Sequence, residues 1–489
     1  MNAKKDHSLD KRKHLQLPPV ARWALGLIFL GCCHPLQAQE GNYKFENFGN
    51  QSVLLNGNVT GSVADLGLVY YNPARLALIE DPSFTVGGKA YEWSKYYFDD
   101  LLQTDKSLSS NQFGSIPATI AGTFSMKALP NHKFAYSIIS RHRSDIRLRY
   151  DSGLIEQPDF PSVPDAAESY TELDFRDRLR DDWFGATWAY PISETFSVGV
   201  SVFGSNYEYN GRGEILINVN REEGGVITYS KRIDFTQKSY GGIVKIGGAW
   251  LMDDIEMGAS ITLPFFAVKN KASSNFQESL GGYSAGQDFL VLLNYGDLNS
   301  RRKTATGVSY GVGIPLKKHK IHLNLDWYSG ISSYDRIEIP AEVLEYVEEN
   351  PFREELKSVL NFGIGAELNI SPSLNFLGGF STDFSAAEES INLFDVINQS
   401  PEDINLLNDL WHISIGMGLT RPWGTITVGV SYAHSSSNIG TAPEIPSEDM
   451  AAQTRNITTG INYERWRFIA GVEIPLLLEK MKDLPIPFK

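Results

Sequence analysis

Cysteine is nearly absent from this chain: of 489 residues only Cys32 and Cys33 are cysteine. Both sit in an N-terminal segment where Lys4, Lys5, Lys11, Arg12, Lys13 and Arg22 precede an apolar stretch, Trp23 to Cys33, that ends at Leu36-Gln37-Ala38. This is the pattern of a secretory signal peptide over residues 1–38, with an apolar core too short to span a bilayer as a helix. A lipoprotein signal acylated at Cys32 is the alternative, and Phe29-Leu30-Gly31 fits its usual small-residue approach poorly. Cleavage after Ala38 removes both thiols, which excludes disulfides, metal-thiolate centres and cysteine catalysis from the mature chain.

Long hydrophobic runs are absent too. After residue 38 no stretch of about eighteen consecutive apolar residues occurs, which excludes a helical membrane protein. Positive charge is scarce as well. The formal net charge is −14, and the leader holds six basic and two acidic residues, so the remainder carries about −18. No nucleic-acid partner is expected for so acidic a chain.

Motifs that carry catalysis are equally sparse. Gly307-Val308-Ser309-Tyr310-Gly311 matches a nucleophile-elbow pattern, but it lies within an alternating, strand-like run with no helix after it. His319 and His322 are three apart, which places them on opposite faces of a strand, where they cannot share a metal. Neither an enzyme nor a cofactor or metal site is expected.

What the sequence has in abundance is alternation. Ile321, Leu323, Leu325 and Trp327 alternate with His322, Asn324 and Asp326; Ile426, Val428, Val430 and Tyr432 alternate with Thr427, Gly429 and Ser431. Period two predicts strands. They fall near 82–94, 116–127, 132–150, 172–191, 194–211, 232–252, 254–270, 301–315, 318–332, 356–370, 372–385, 410–421, 424–436, 450–463 and 466–476. Short turns such as Pro191-Ile192-Ser193 and Arg421-Pro422-Trp423 alternate with long polar connections near 96–115, 151–171, 273–300, 333–355, 386–409 and 437–449.

Turns short at one end and long at the other predict an all-β fold, a transmembrane antiparallel β-barrel of the bacterial outer membrane. A sandwich or propeller would alternate as well. Two features favour the barrel: the polar parity is mostly Gly, Ser, Thr and Asn, and the eight tryptophans beyond the leader lie near predicted strand ends, as interfacial girdles do. A closed barrel of this type has an even strand number, so either the last segment, ending at Ile474-Pro475, does not cross or another crossing is hidden in 213–231 or the tail; about fourteen strands are expected.

Residues 39–81 precede the barrel, which spans 82–489. Irregular backbone cannot face lipid, because unpaired amides in hydrocarbon are costly, so this segment either plugs the lumen or hangs below it. Its Gly61, Ala64-Asp65, Asn72-Pro73-Ala74 and Leu76 resemble the N-terminal hatch of the FadL/TodX family of outer-membrane transporters of hydrophobic compounds. Arg75 departs from that pattern, standing where a small residue usually follows. Residues 132–150 contain no Gly or Pro to kink the third strand, a feature that family uses for a side exit.

The resemblance implies a plugged barrel for passive uptake of hydrophobic or amphipathic, fatty-acid-like small molecules. The alternative is a barrel of the same build that serves assembly or secretion attachment. Outer-membrane lipids and a hydrophobic ligand are the expected partners, with protein partners at the extracellular loops compatible with either reading. The hatch site comprises Asp65, Asn72, Pro73, Ala74 and Arg75.

A ligand carboxylate needs a cation, because a buried unpaired carboxylate is costly. Arg141, Arg143, Asp145, Arg147 and Arg149 share one parity of the third strand in the sequence, and Asp174, Arg176, Arg178, Arg180 and Asp182 one parity of the fourth. Most of these read as a cross-strand ion-pair ladder above the membrane, with Arg141 and Arg143 low enough to serve a ligand. Helix-like apolar patterns occur at Val343, Leu344, Tyr346 and Val347, and at Ile391, Leu393, Phe394, Val396, Ile397, Leu406 and Leu407; the family resemblance implies a landing groove there, and a cap packed on the barrel is the alternative. The ligand-binding candidates are therefore Arg141, Arg143, Leu393, Phe394, Val396 and Ile397.

Overall fold

A computed structural model describes residues 41–79, 83–99, 108–114, 118–124, 126–158, 160, 162–284, 286–345, 347, 350–389, 409–440 and 458–475. The leader and the apolar pattern at 391–407 lie outside the described residues. The strands are β1 (Ser83–Phe98), β2 (Leu108–Gly114 and Thr119–Phe124), β3 (Lys133–Asp151), β4 (Ala166–Pro191), β5 (Phe196–Arg221), β6 (Val226–Met252) and β7 (Ile255–Thr262 and Phe266–Gly281). They continue as β8 (Phe289–Leu298 and Gly307–Leu316), β9 (His319–Tyr328), β10 (Val359–Ser371), β11 (Leu374–Asp383), β12 (Leu410–Arg421), β13 (Gly424–Gly440) and β14 (Thr458–Pro475). Each pairs antiparallel with the next, and β1 closes on β14 from Ser83↔Pro475 to Phe98↔Ile461. The result is a closed barrel of fourteen strands.

The surplus segment of the sequence reading has a specific origin. Residues 450–463 and 466–476 are not two crossings: Tyr463, Glu464 and Arg465 stay paired to β1 and β13 inside one strand. Glu464 and Arg465 interrupt the apolar alternation without interrupting the ladder, because Arg465 points into the barrel, where it is 1% exposed. The long connection expected at 273–300 is likewise mostly strand, shared between β7 and β8. Residues 213–231 form the top of a β5–β6 hairpin closed at Gly224 and Gly225, whose φ of 92° and 102° suit glycine.

Alternation fixes which side meets lipid. In β9, Leu323, Leu325 and Trp327 are exposed on the outside, while His322, Asn324 and Asp326 are buried inside. In β12, Trp411, Ile413, Ile415 and Met417 face out and His412 and Ser414 face in. Apolar outside and polar inside inverts the soluble pattern and is stable only where hydrocarbon surrounds the wall. Among the described residues no helix is long and apolar enough to cross a membrane; strands make the crossing. One tryptophan departs from the expected girdles: Trp183 is 4% exposed and lies inside.

Short turns join the strands at one end, and at the other the wall rises well past the membrane. β5 and β6 are 26 and 27 residues long, against about ten needed to cross. Inside this upper half an apolar core forms from residues such as Leu148, Phe175, Ile217, Tyr229, Ile233 and Phe276. It is capped by the β9–β10 connection, whose Ile337, Val343, Val347 and Phe352 pack into the same cluster. The helix-like pattern there makes a single turn, Ala341–Leu344, with Val343 buried and Leu344 exposed.

Candidate functional site

Residues 41–79 lie inside the barrel and are built around Asp65. Its carboxylate accepts from the backbone N–H of Asn50, Ser52 and Gly67 and from the Ser52 hydroxyl, all at 2.8–2.9 Å. Four donors on one carboxylate hold this segment as a turn-rich knot with little regular structure of its own. Asn72 reaches the wall: its amide donates to the Gly248 and Thr60 carbonyls, and its Oδ1 accepts from the Ala74 N–H, starting the 3-10 turn Pro73–Leu78.

The glycines of the inward parity receive this knot. A Cβ on Gly311 would sit 2.5 Å from the Gly61 nitrogen, one on Gly199 would meet the Pro73 carbonyl carbon at 2.5 Å, and one on Gly363 would meet the Asn58 side chain at 2.0 Å. At this depth the small residues of the polar parity are seats for the hatch. Wall hydroxyls and amides fasten it: Ser414 donates to the Leu54 carbonyl, Ser201 to Val69 and Ser197 to Ala74.

Charged pairs complete the attachment. Arg75, the departure from the hatch pattern, pairs with Glu256 of β7 at 2.6 Å and donates to the Val63 carbonyl at 3.2 Å. Burial depresses its pKa and Glu256 partly restores it. Glu46 meets Lys89 of β1 at 2.9 Å and Arg467 of β14 at 2.7 Å. Burial alone would raise the Glu46 pKa; the two cations outweigh it and hold the carboxyl below its ordinary value.

Above the knot lies a small hollow lined by Tyr43, Tyr70, Arg141, Trp183, Lys245 and Arg302 among others. A second small hollow shares Tyr43, Tyr70, Lys245 and Tyr328 with it. The cations sit against aromatic faces. Lys245 Nζ is 4.3 Å from the Tyr70 ring centre, and the Arg302 guanidinium is 4.1 Å from Tyr207 and 4.7 Å from Phe265. Arg302 is paired with Asp181 at 2.6 Å, and Lys44 with Asp326 at 2.8 Å. Lys245 donates to Thr262 Oγ1 at 2.7 Å and has no ion pair among the described residues.

Two local irregularities create this lining. β7 is interrupted at Leu263-Pro264-Phe265 and β8 at residues 299–306, which turns Phe265 and Arg302 into the lumen. In β3 a bulge falls between Ser140 and His142. The parity that Arg141 and Arg143 share in the sequence is thereby broken: Arg141 is buried beside Tyr70 and Trp183, donating to the Tyr43 carbonyl at 3.1 Å, while Arg143 turns outward to Asp182. Among the described residues no ladder joins the Leu108–Gly114 half of β2 to β3, whose pairing with β2 runs only from Phe134 to Ile139.

Of the ligand-binding candidates, Arg141 lines the hollow, Arg143 does not, and Leu393, Phe394, Val396 and Ile397 lie outside the described residues. Lys245, Arg302 and Trp183 were missed. Lys245 had a signal, a lone cation on an otherwise small or apolar inward parity with Ile243 and Gly247. Arg302 had none, because a strand break directs it. Gly307–Leu316 is strand throughout, so Ser309 sits in no nucleophile elbow.

Fold and interior together define an outer-membrane β-barrel with a filled lower lumen. Its fold is that of the FadL/TodX-type channels. The P. putida toluene transporter TodX superposes with a TM-score of 0.56 at 11% identity, over 88% of this chain and 99% of that one. A Pseudomonas aeruginosa FadL homologue gives 0.51 at 10% identity, over 90% and 100%. No protein-family model matches the chain. No curated protein matches it in sequence.

Proposed function

We propose that this barrel passes hydrophobic or amphipathic small molecules across the outer membrane passively, with the hatch as a stopper. The observation that carries this reading is the hollow between an apolar upper lumen and a seated hatch, where Arg141 and Lys245 stand against Tyr70 and Trp183. A carboxylate placed at the hollow is met by cations and not left unpaired, while a tail entering the apolar half has to displace side chains of the packed core there. One structural neighbour is a toluene transporter, which agrees with the apolar part of this reading.

The route straight downward is obstructed by a hatch fastened around the wall. No reaction is assigned to the chain.

Uptake tests the proposal. The full-length protein, expressed in an outer membrane lacking comparable channels, is given a labelled long-chain carboxylate and a monoaromatic hydrocarbon. Uptake of either above the empty membrane supports transport. Uptake of neither, with the barrel folded and inserted, removes the transport reading and leaves an assembly role.

A further inference from the structure

The chain is acidic, yet one sector of its outer wall is basic. Above the apolar belt, the outward residues of β3 to β7 form transverse rows set by the strand register. The lowest row runs Arg143, Arg180, Glu208, Lys238, Lys271. Above it stand Asp145 and Arg178, and then Arg147, Arg176, Arg212 and Asp234. From the row of Asp182 and Lys269 up to the Arg149, Glu172 and Asp174 level, the sector holds eleven basic and eight acidic side chains on a chain of net charge −14.

Depth fixes what can reach this sector. Phe184, Phe266, Ile138, Val202 and Ile246, all 44–54% exposed, form the lipid-facing wall beneath it. From Phe184 to Arg180 is four residues, roughly 13 Å along the strand and less along the membrane normal because barrel strands tilt. The basic rows therefore begin where the outer leaflet's hydrocarbon gives way to headgroups. Tyr240, exposed on the outside between belt and rows, is the residue type found at that boundary.

Internal ion pairs consume only part of the charge. Arg143 and Arg180 share Asp182 at 3.1 and 2.6 Å, Lys238 takes Glu208, Arg147 takes Asp145, Arg212 takes Glu214 and Arg232 takes Asp234. Arg176, Arg178, Lys269 and Lys271 have no ion pair among the described residues.

We propose that this outward face of β3–β7 binds the phosphate groups of the phosphorylated lipid of the outer leaflet. Clustered Arg and Lys beside a membrane donate charge-assisted hydrogen bonds to phosphate oxygens and select anionic headgroups by charge. The net negative charge of the chain repels soluble polyanions. A lipid anchored beside the belt is delivered to the rows at high local concentration. The barrel thus carries an annular lipid site on one side only, separate from its lumen.

The test uses the full-length protein in neutral detergent micelles, titrated with diphosphoryl lipid A and followed by native mass spectrometry. Removing the four cations that have no ion pair, as R176S/R178S/K269S/K271S, is expected to weaken lipid binding by about tenfold or more. The charge-preserving R176K/R178K variant is expected to stay within about threefold of the parent, and raised salt to weaken binding to the parent. Heat-modified mobility shows which variants remain folded; if the quadruple variant does not insert, K269S/K271S carries the same comparison at half the charge. Equal lipid binding by parent and charge-removed variants overturns the proposal. Displacement of the lipid by inorganic phosphate at equal phosphate concentration would assign the face to a free anion and overturns it as well.

Discussion

Asp181 and Arg302 meet at 2.6 Å with side chains 0% and 1% exposed, joining β4 to the break in β8. Asp181 also accepts from Trp183 Nε1 at 2.8 Å and Ser205 Oγ at 2.6 Å, so its charge is well compensated. Arg302 is therefore committed to shaping the hollow, and its guanidinium holds Tyr207 and Phe265 in place as the wall.

Breaking this pair is expected to be costly. Asp181→Asn or Arg302→Met leaves one buried group uncompensated, a loss of about 3–5 kcal/mol. It should show as a clear drop in the temperature at which the barrel becomes heat-denatured on a gel. The double variant Asp181→Leu/Arg302→Met removes both charges and should recover much of the loss; no recovery would mean that the pair shapes the wall by more than its charge balance.

Lys245 is arranged differently, with a hydroxyl and an aromatic ring as partners and no carboxylate pair among the described residues. Lys245→Met is expected to weaken binding of a long-chain carboxylate about tenfold, the scale of a hydrogen bond to a charged group. Binding of the alkane of equal length should be unchanged, and Lys245→Arg should retain carboxylate binding. Quenching of tryptophan emission, with Trp183 in the hollow, provides the readout. Equal losses for the two ligands would assign Lys245 to packing and not to charge recognition.

The contrast between these two cations explains what could be read from the sequence. Lipid-facing strands such as β9 and β12 obey strict period two, because each outward position meets hydrocarbon and each inward one does not, so the barrel was legible. Lys245 obeys the same parity and was within reach of that reading. Arg141 continues the inward parity of Ala135, Ser137 and Ile139 and was likewise within reach, whereas Arg302 is placed by a strand break, where period two fails, and only three-dimensional register locates it. The bulge between Ser140 and His142 explains why Arg143, two residues on, ends outside. The Tyr463-Glu464-Arg465 stretch shows the converse: a break in hydropathy without a break in pairing.

Inward glycines make a separate prediction. Gly311→Val places side-chain atoms against Gly61, where even a Cβ comes within 2.5 Å of backbone. The barrel wall itself tolerates a β-branched residue, so the variant should still run as a folded, heat-modifiable species. Its hatch should be displaced, raising passive permeability to small solutes, and deletion of residues 50–78 should do the same more strongly. A sealed Gly311→Val barrel would show that the hatch can shift within the lumen without opening it.

Acid should loosen the hatch before it harms the wall. Glu46 is buried between Lys89 and Arg467, which hold its carboxyl below the ordinary value despite burial. A carboxyl whose folded pKa is depressed contributes stability that is complete above the unfolded value, about 4.3, and is lost as pH falls through the folded value. Protonation would leave Lys89 and Arg467 buried with Glu92 as their remaining carboxylate, since Glu92 lies 2.9 Å from Lys89 and 2.6 Å from Arg467. Accessibility of a reporter cysteine introduced at Val53, buried in the hatch, should therefore rise as pH drops below about 4. In a Glu46→Gln background the reporter should already be more accessible at neutral pH and should respond less to acid. An unchanged acid response in Glu46→Gln would show that the titrating group is not Glu46.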